Sequence, residues 1–239
     1  MIERFCLSNS KGFFAMKRTI ALCVGLLALA GPAAAESPVA VVEDVQGKVT
    51  GAEFMDYVTP KTVIKVPAGG SVVISYMKSC QREKISGLGT VIIGTDESFV
   101  QFADVKREKT DCDSNQSHAT TQATSEAAAT VLRSLGDKRD GTPKIKTQLT
   151  LYGTSPMVEA KGKGTLVVER LDVKGERQQI ELNGSQSKGK FYDFAGANRA
   201  LTPGGIYSAS FGTSKIVFLV DAKAKPGATP IVGRLIRLD

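Results

Sequence analysis

Short β-branched and apolar runs separated by glycine-rich turns dominate the chain. In its first half they lie at 41–45, 63–66, 71–76, 89–93 and 98–102, divided by Gly47, Gly51, Pro67-Ala68-Gly69-Gly70, Gly87 and Gly94. Strands of four to six residues at this spacing predict an all-β unit with tight turns, because βαβ units need helical stretches between their strands and none of adequate length occurs. From residue 143 the pattern resumes, with runs at 145–153, 165–173, 177–184, 190–194, 206–212, 214–221 and 231–238. Seven such strands over about a hundred residues match the count of an immunoglobulin-like β-sandwich. The adjacent apolar residues at 216–220 predict a central strand covered on both faces.

Residues 114–142 break the pattern. They are rich in Ser, Thr, Gln and Ala and poor in apolar side chains, so little surface can be buried to offset the entropy of ordering, and a polar linker is expected. Within it, 125–135 admits a short helix whose only apolar face is Val131, Leu132 and Leu135, marginal without a partner to pack on. The expected organisation is thus a leader at 1–35, a β domain at 39–113, a linker at 114–142 and a sandwich at 143–239.

The leader is read from Met16-Lys17-Arg18, the apolar run at 19–31, and Ala33-Ala34-Ala35 before a polar stretch. A charged start, a short apolar segment and small residues at the cut describe a secretory signal peptide, with cleavage expected between Ala35 and Glu36. The run is shorter than the roughly 20 residues of a comfortable membrane span. Met16 is the expected start of translation, with residues 1–15 as a weakly patterned preface. Cys23 lies inside the apolar run, away from the cut, so no lipid anchor is expected. The expected location is the periplasm, or outside the cell, with no membrane anchor once the leader is removed.

Export changes how charge and cysteine are read. The leader carries four of the 31 basic residues and one of the 24 acidic ones, so its loss lowers the net charge from +7 to +4. With no basic stripe interleaved with aromatics, a nucleic-acid partner is not expected. Of the four cysteines, only Cys80 and Cys112 lie beyond the leader. In an oxidising compartment such a pair predicts a disulfide, stabilising by roughly 3–4 kcal/mol in the chain-entropy model. A free thiol or a metal pair is the sharper alternative, opposed by the single histidine, His118, and the lack of a C-x-x-C motif.

Three segments carry a family likeness. Val42-Glu43-Asp44-Val45-Gln46-Gly47-Lys48-Val49, Gly69-Gly70-Ser71-Val72-Val73-Ile74-Ser75-Tyr76, and the 90–93 strand leading to Ser98 resemble the FecR-like domain of bacterial exported proteins, over about residues 40–112. Asp56-Tyr57, Ser79-Cys80-Gln81-Arg82-Glu83 and Cys112-Asp113 resemble elements of a group of small exported bacterial proteins within it. The resemblance implies a β domain that binds, senses or scaffolds in the cell envelope. Typical FecR regulators also carry a membrane-spanning helix and a segment that touches a sigma factor; this chain matches neither, and Met77-Lys78-Ser79-Cys80 replaces the family's usual D-G turn. In the second half, Leu201-Thr202-Pro203-Gly204-Gly205-Ile206-Tyr207 resembles the L-x-P-G-x-x-Y approach to a late strand in fibronectin-type sandwiches.

Candidate chemistry is sparse. Asp111, Asp113, Asn115 and Ser117 alternate like calcium ligands, but Gln116 and Gln122 stand where an EF-hand needs Gly and Glu. Residues 184–190 satisfy G-x-x-x-x-G-K, yet Phe191 occupies the hydroxyl position and a strand follows, so a phosphate loop is rejected. No base is placed beside a nucleophile, and Glu43, Asp44, Asp56 and Glu83 form no catalytic signature. The expectation is a non-catalytic protein with no cofactor and no metal, whose partner is an envelope protein. The alternative is peptidoglycan or another polysaccharide, met by Lys161, Lys163, Lys188 and Lys190 and by Tyr57, Tyr76, Tyr192 and Tyr207. Zero tryptophans weigh against a sugar platform.

Overall fold

A computed structural model describes residues 36–114, 145–186 and 188–238. The expected leader, His118, the 125–135 segment and nearly all of the expected linker lie outside the described residues. Ser37–Asp239 forms one compact unit. Among the described residues it is all β-strand and turn, without an α-helix, in four sheets whose pairings are antiparallel with two exceptions.

The first half is a five-stranded and a three-stranded sheet. Strands β1 (Ala40–Gln46), β2 (Tyr57–Val58), β4 (Ser71–Tyr76), β5 (Gln81–Ser86) and β8 (Asp104–Lys109) pair in the order β2-β1-β4-β5-β8. Strands β3 (Val63–Val66), β6 (Gly89–Ile93) and β7 (Ser98–Gln101) pair as β3-β6-β7. Between them lies a core that includes Val42, Ile64, Val72, Ile74, Tyr76, Ile85, Val91 and Ile93. Alternation produces this core: Val72, Ile74 and Tyr76 of β4 face inward while Val73 and Ser75 face the other way. Strand β1 departs from strict alternation by a β-bulge between Val42 and Asp44. The extra residue is Glu43, and the bulge lets Val45 follow Val42 into the core while Glu43 turns to the outer face.

The second half repeats the plan. Strands β9 (Leu149–Gly153), β11 (Lys163–Arg170), β12 (Arg177–Asn183), β14 (Ile206–Phe211) and β15 (Ser214–Lys225) pair as β12-β11-β14-β15-β9. Strands β10 (Met157–Glu159), β13 (Phe191–Asp193) and β16 (Leu235–Arg237) pair as β13-β10-β16. The β9–β15 and β10–β16 pairs are parallel. Ile216, Val217 and Phe218 of β15 are all buried, as the apolar run predicted for a central strand. The Tyr207 hydroxyl accepts the Thr202 backbone N–H (2.9 Å) and donates to Glu176 (2.7 Å), a tie back to the preceding turn like the tyrosine corner of sandwich folds. Beside it Arg170 donates to Asp172, holding that carboxyl below the usual range.

Every run predicted as a strand contains one, but β2, β5, β8 and β10 had no counterpart among them. Strands β2 and β10 are too short for a pattern. Strands β5 and β8 are missed because their inward positions include charge: Glu83 is fully buried on β5, and β8 places only Val105 against the core.

Candidate functional site at the seam of the two sheet pairs

The outer face of the five-stranded first sheet packs on the second half. Val41 and Met55 from one side and Met157, Phe191, Ile231 and Leu235 from the other form a third apolar cluster. At its edge the bulge aims Glu43 across the seam, where one carboxylate oxygen accepts the backbone N–H of Ile231 (2.6 Å) and of Val232 (3.2 Å). Its other oxygen accepts from Arg82 Nε (2.8 Å), and Arg82 also donates to Glu108 (2.6 Å). The Glu43 side chain is wholly buried, so the carboxylate is stable only because these donors replace its water.

The 226–234 loop that supplies those N–H groups is itself held by Arg234, which is 2% exposed. Its Nε donates to the Ala228 carbonyl (2.8 Å), and one terminal nitrogen to the Ser155 carbonyl (2.8 Å) and Asp193 (2.7 Å). The loop contains a cis Thr229-Pro230 bond. Glu43, Arg82, Asp193 and Arg234, with Val73 and Met157, line a cavity of about 410 Å³ at the seam.

A second polar cluster stands across the seam. Buried Glu159 accepts from the Tyr57 hydroxyl (2.7 Å) and pairs with Lys190 (3.2 Å) and Arg237 (3.4 Å). The Lys190 ammonium lies 4.7 Å from the Phe191 ring centre and 5.2 Å from that of Tyr57, within cation–π range. Lys188 reaches Asp56 (2.5 Å) and Glu53 (3.1 Å). Lys188 and Lys190, read from the sequence as loop lysines with an anionic polymer as the alternative partner, reach across the seam and tie the two halves together.

A disulfide clasp lies at the start of β5. Cys80, just before β5, and Cys112, just after β8, are joined by a disulfide with Cα atoms 5.6 Å apart. Its neighbours make it more than a closure of the first half. The Asp113 carboxylate accepts the Thr150 backbone N–H (2.8 Å), which places this supposed calcium ligand in a structural role; Asn115 and Ser117 lie outside the described residues. The Asp111 carbonyl sits where a Cβ on Gly233 would come within 2.5 Å of it. Only glycine lets the two backbones approach so closely, so the clasp fixes a segment that docks on the second half.

Between clasp and loop runs a groove of about 480 Å³, with Glu108, Lys109 and Asp111 on one wall and Tyr152, Lys223 and Pro226 on the other. Its size is that of a small-ligand or peptide-segment site. Burial lifts the Tyr152 phenol, with Asp113, Asp221 and Asp111 adding to the effect.

Glu83, the other buried acid of the first half, lies on the opposite, core-facing side of the sheet from Glu43. It accepts the Ser98 N–H (3.2 Å to each oxygen) and Arg107 Nε (2.7 Å), while Arg107 also donates to the Ser98 carbonyl (2.8 Å). The Tyr76 hydroxyl bonds to Ser98 (2.8 Å), and burial pushes its pKa up to about 12. Tyr76 and Tyr207 are fully buried, and Tyr192 packs on the second core with its ring at right angles to Phe194. Tyr76 and Tyr207 therefore present no open face of the kind expected of a sugar platform.

Arg234 and Glu159 carry no signal in the sequence. The β5–β8 pair does: Arg82-Glu83 and Arg107-Glu108 are antiparallel complements, which the register places opposite one another. Cross-strand charge pairs of this kind stabilise a sheet, and the two segments flank the cysteines.

Comparison of the chain with protein-family models, with curated proteins and with solved structures finds no match in any of the three. The disulfide is compatible with an exported protein, and no helix among the described residues is long and apolar enough to cross a membrane.

Proposed function

We propose that the chain is an exported, non-catalytic binding module of the bacterial envelope, cut from its leader between Ala35 and Glu36, in which a FecR-like β domain and an immunoglobulin-like sandwich hold a partner in the groove between them. The groove carries this proposal. Its walls come from both halves, and their relative position is set by Glu43, by the Glu159 cluster and by the clasp. A preformed cleft with fixed walls recognises a partner with little entropy spent on ordering. Both buried acids of the first half are committed to arginines and backbone donors, which suits a structural role for them. A photo-cross-linker at Tyr152, in native envelope, tests the proposal. A discrete adduct that is lost when Lys223 and Lys225 are reversed to glutamate supports it, and diffuse labelling insensitive to that reversal refutes it.

The alternative partner is peptidoglycan or another anionic polysaccharide, favoured by Lys223 and Lys225 at the groove. Co-sedimentation of Ser37–Asp239 with purified cell wall separates the two.

A further inference from the structure

Four connections meet at the end of the first half remote from the clasp. The registers Gln46 with Ser71, Ser71 with Ser86 and Ser86 with Asp104 in one sheet, and Val66 with Gly89 and Thr90 with Gln101 in the other, bring residues 47–48, 67–70, 87–88 and 102–103 to one tip. Two of these turns expose large apolar side chains: Leu88 is 67% and Phe102 95% exposed. Phe102 has φ +66°, a left-handed conformation that costs a bulky residue energy. The two turns are packed backbone to backbone. A Cβ on Gly89 would lie 2.4 Å from the Gln101 carbonyl oxygen and 2.6 Å from the Ala103 nitrogen. Leu88 and Phe102 therefore protrude side by side. They border a shallow hollow of about 400 Å³, mostly apolar, with Pro67 and Val66 in its wall and exposed Lys48 and Lys65 at its rim. Asp104 is the acidic residue nearest Phe102 in the chain, one step beyond Ala103.

We propose that this tip docks on an anionic lipid bilayer, with Phe102 and Leu88 inserted at the headgroup boundary and Lys48 and Lys65 against the lipid phosphates. The shape selects a bilayer over a protein. Two side chains on convex turns bury far less than the roughly 1,000 Å² of a stable protein interface, whereas apolar side chains collared by lysines suit an interfacial layer. Strands β5 and β8 run from this tip to the clasp, so a docked molecule presents its groove away from the bilayer. The proposal goes beyond the binding role above and does not depend on it.

Flotation of Ser37–Asp239 with vesicles tests it; both cores and the disulfide are complete in that unit, and the apolar run at 19–31 is excluded. The expected result is co-flotation with phosphatidylglycerol–phosphatidylethanolamine vesicles at low salt, and at least about tenfold weaker partitioning to phosphatidylcholine alone. Leu88→Ala with Phe102→Ala lowers partitioning on the order of tenfold or more, and Lys48→Glu with Lys65→Glu does likewise. Val173→Ala, an exposed apolar site in the second half, leaves it unchanged, and circular dichroism confirms that each variant is folded. Absence of flotation, or a folded Leu88→Ala, Phe102→Ala protein that floats like the parent, overturns the proposal. So does a dimer abolished by Phe102→Ala without vesicle binding, which puts a second copy on the tip.

Discussion

Replacing Glu43 with alanine removes one carboxylate and strands three donors. The backbone N–H groups of Ile231 and Val232 lose their acceptor inside the seam, and each buried orphan costs about 1–3 kcal/mol. Arg82 loses its buried partner but keeps Glu108, and with 23% of its side chain exposed it recovers some water, so its share is smaller. The sum overlaps the roughly 3–5 kcal/mol typical of breaking a buried pair from one side, and that range is the expected loss. Glu43→Gln keeps one acceptor, the amide oxygen, for the two N–H groups but turns its NH2 towards Arg82 Nε. Arg82 Nε then loses both the charge and the acceptor it faced, so the cost should be smaller than that of alanine without vanishing. Urea unfolding followed by far-ultraviolet circular dichroism is the assay, since the chain has no tryptophan. A loss below about 1 kcal/mol for Glu43→Ala, or equal losses for alanine and glutamine, would show that the seam does not depend on this carboxylate and refute the reasoning.

Cys80→Ala and Cys112→Ala should each lower stability by up to about 4 kcal/mol, from closing a loop with a 32-residue separation, with the double variant no worse; additive losses would refute the bond. Gly233→Ala forces a Cβ against the Asp111 carbonyl and should cost about 1–3 kcal/mol by overpacking, read as a lower urea midpoint; an unchanged midpoint would show that the docked segment yields freely. Tyr76, with its folded pKa raised to about 12 above an unfolded value near 10, contributes stability that is complete below pH ~10 and lost as pH rises towards 12. Ultraviolet titration should show a phenol missing from the ordinary transition, and Tyr76→Phe should abolish that part of the alkaline loss; full ionisation of every tyrosine by pH ~10.5 would contradict it.

Local pattern alone made the β architecture legible. Where a strand buries one apolar face or two, as in β4 and β15, alternation or a continuous run marks it in the sequence, because the period of side-chain direction is fixed by backbone geometry. The cysteine pairing was legible for a different reason: only two of the four cysteines lie beyond the segment expected to be a leader. The seam was not legible. Glu43 looks like an ordinary acid after two valines, and only the bulge in β1 turns it towards a loop 188 residues away in sequence. Arg234 and Glu159 likewise gain their roles from neighbours brought together by folding, not from spacing. The exposed tip belongs to both levels. The sequence supplied Leu88 and Phe102 in two turns, and the register of two sheets decided that those turns meet.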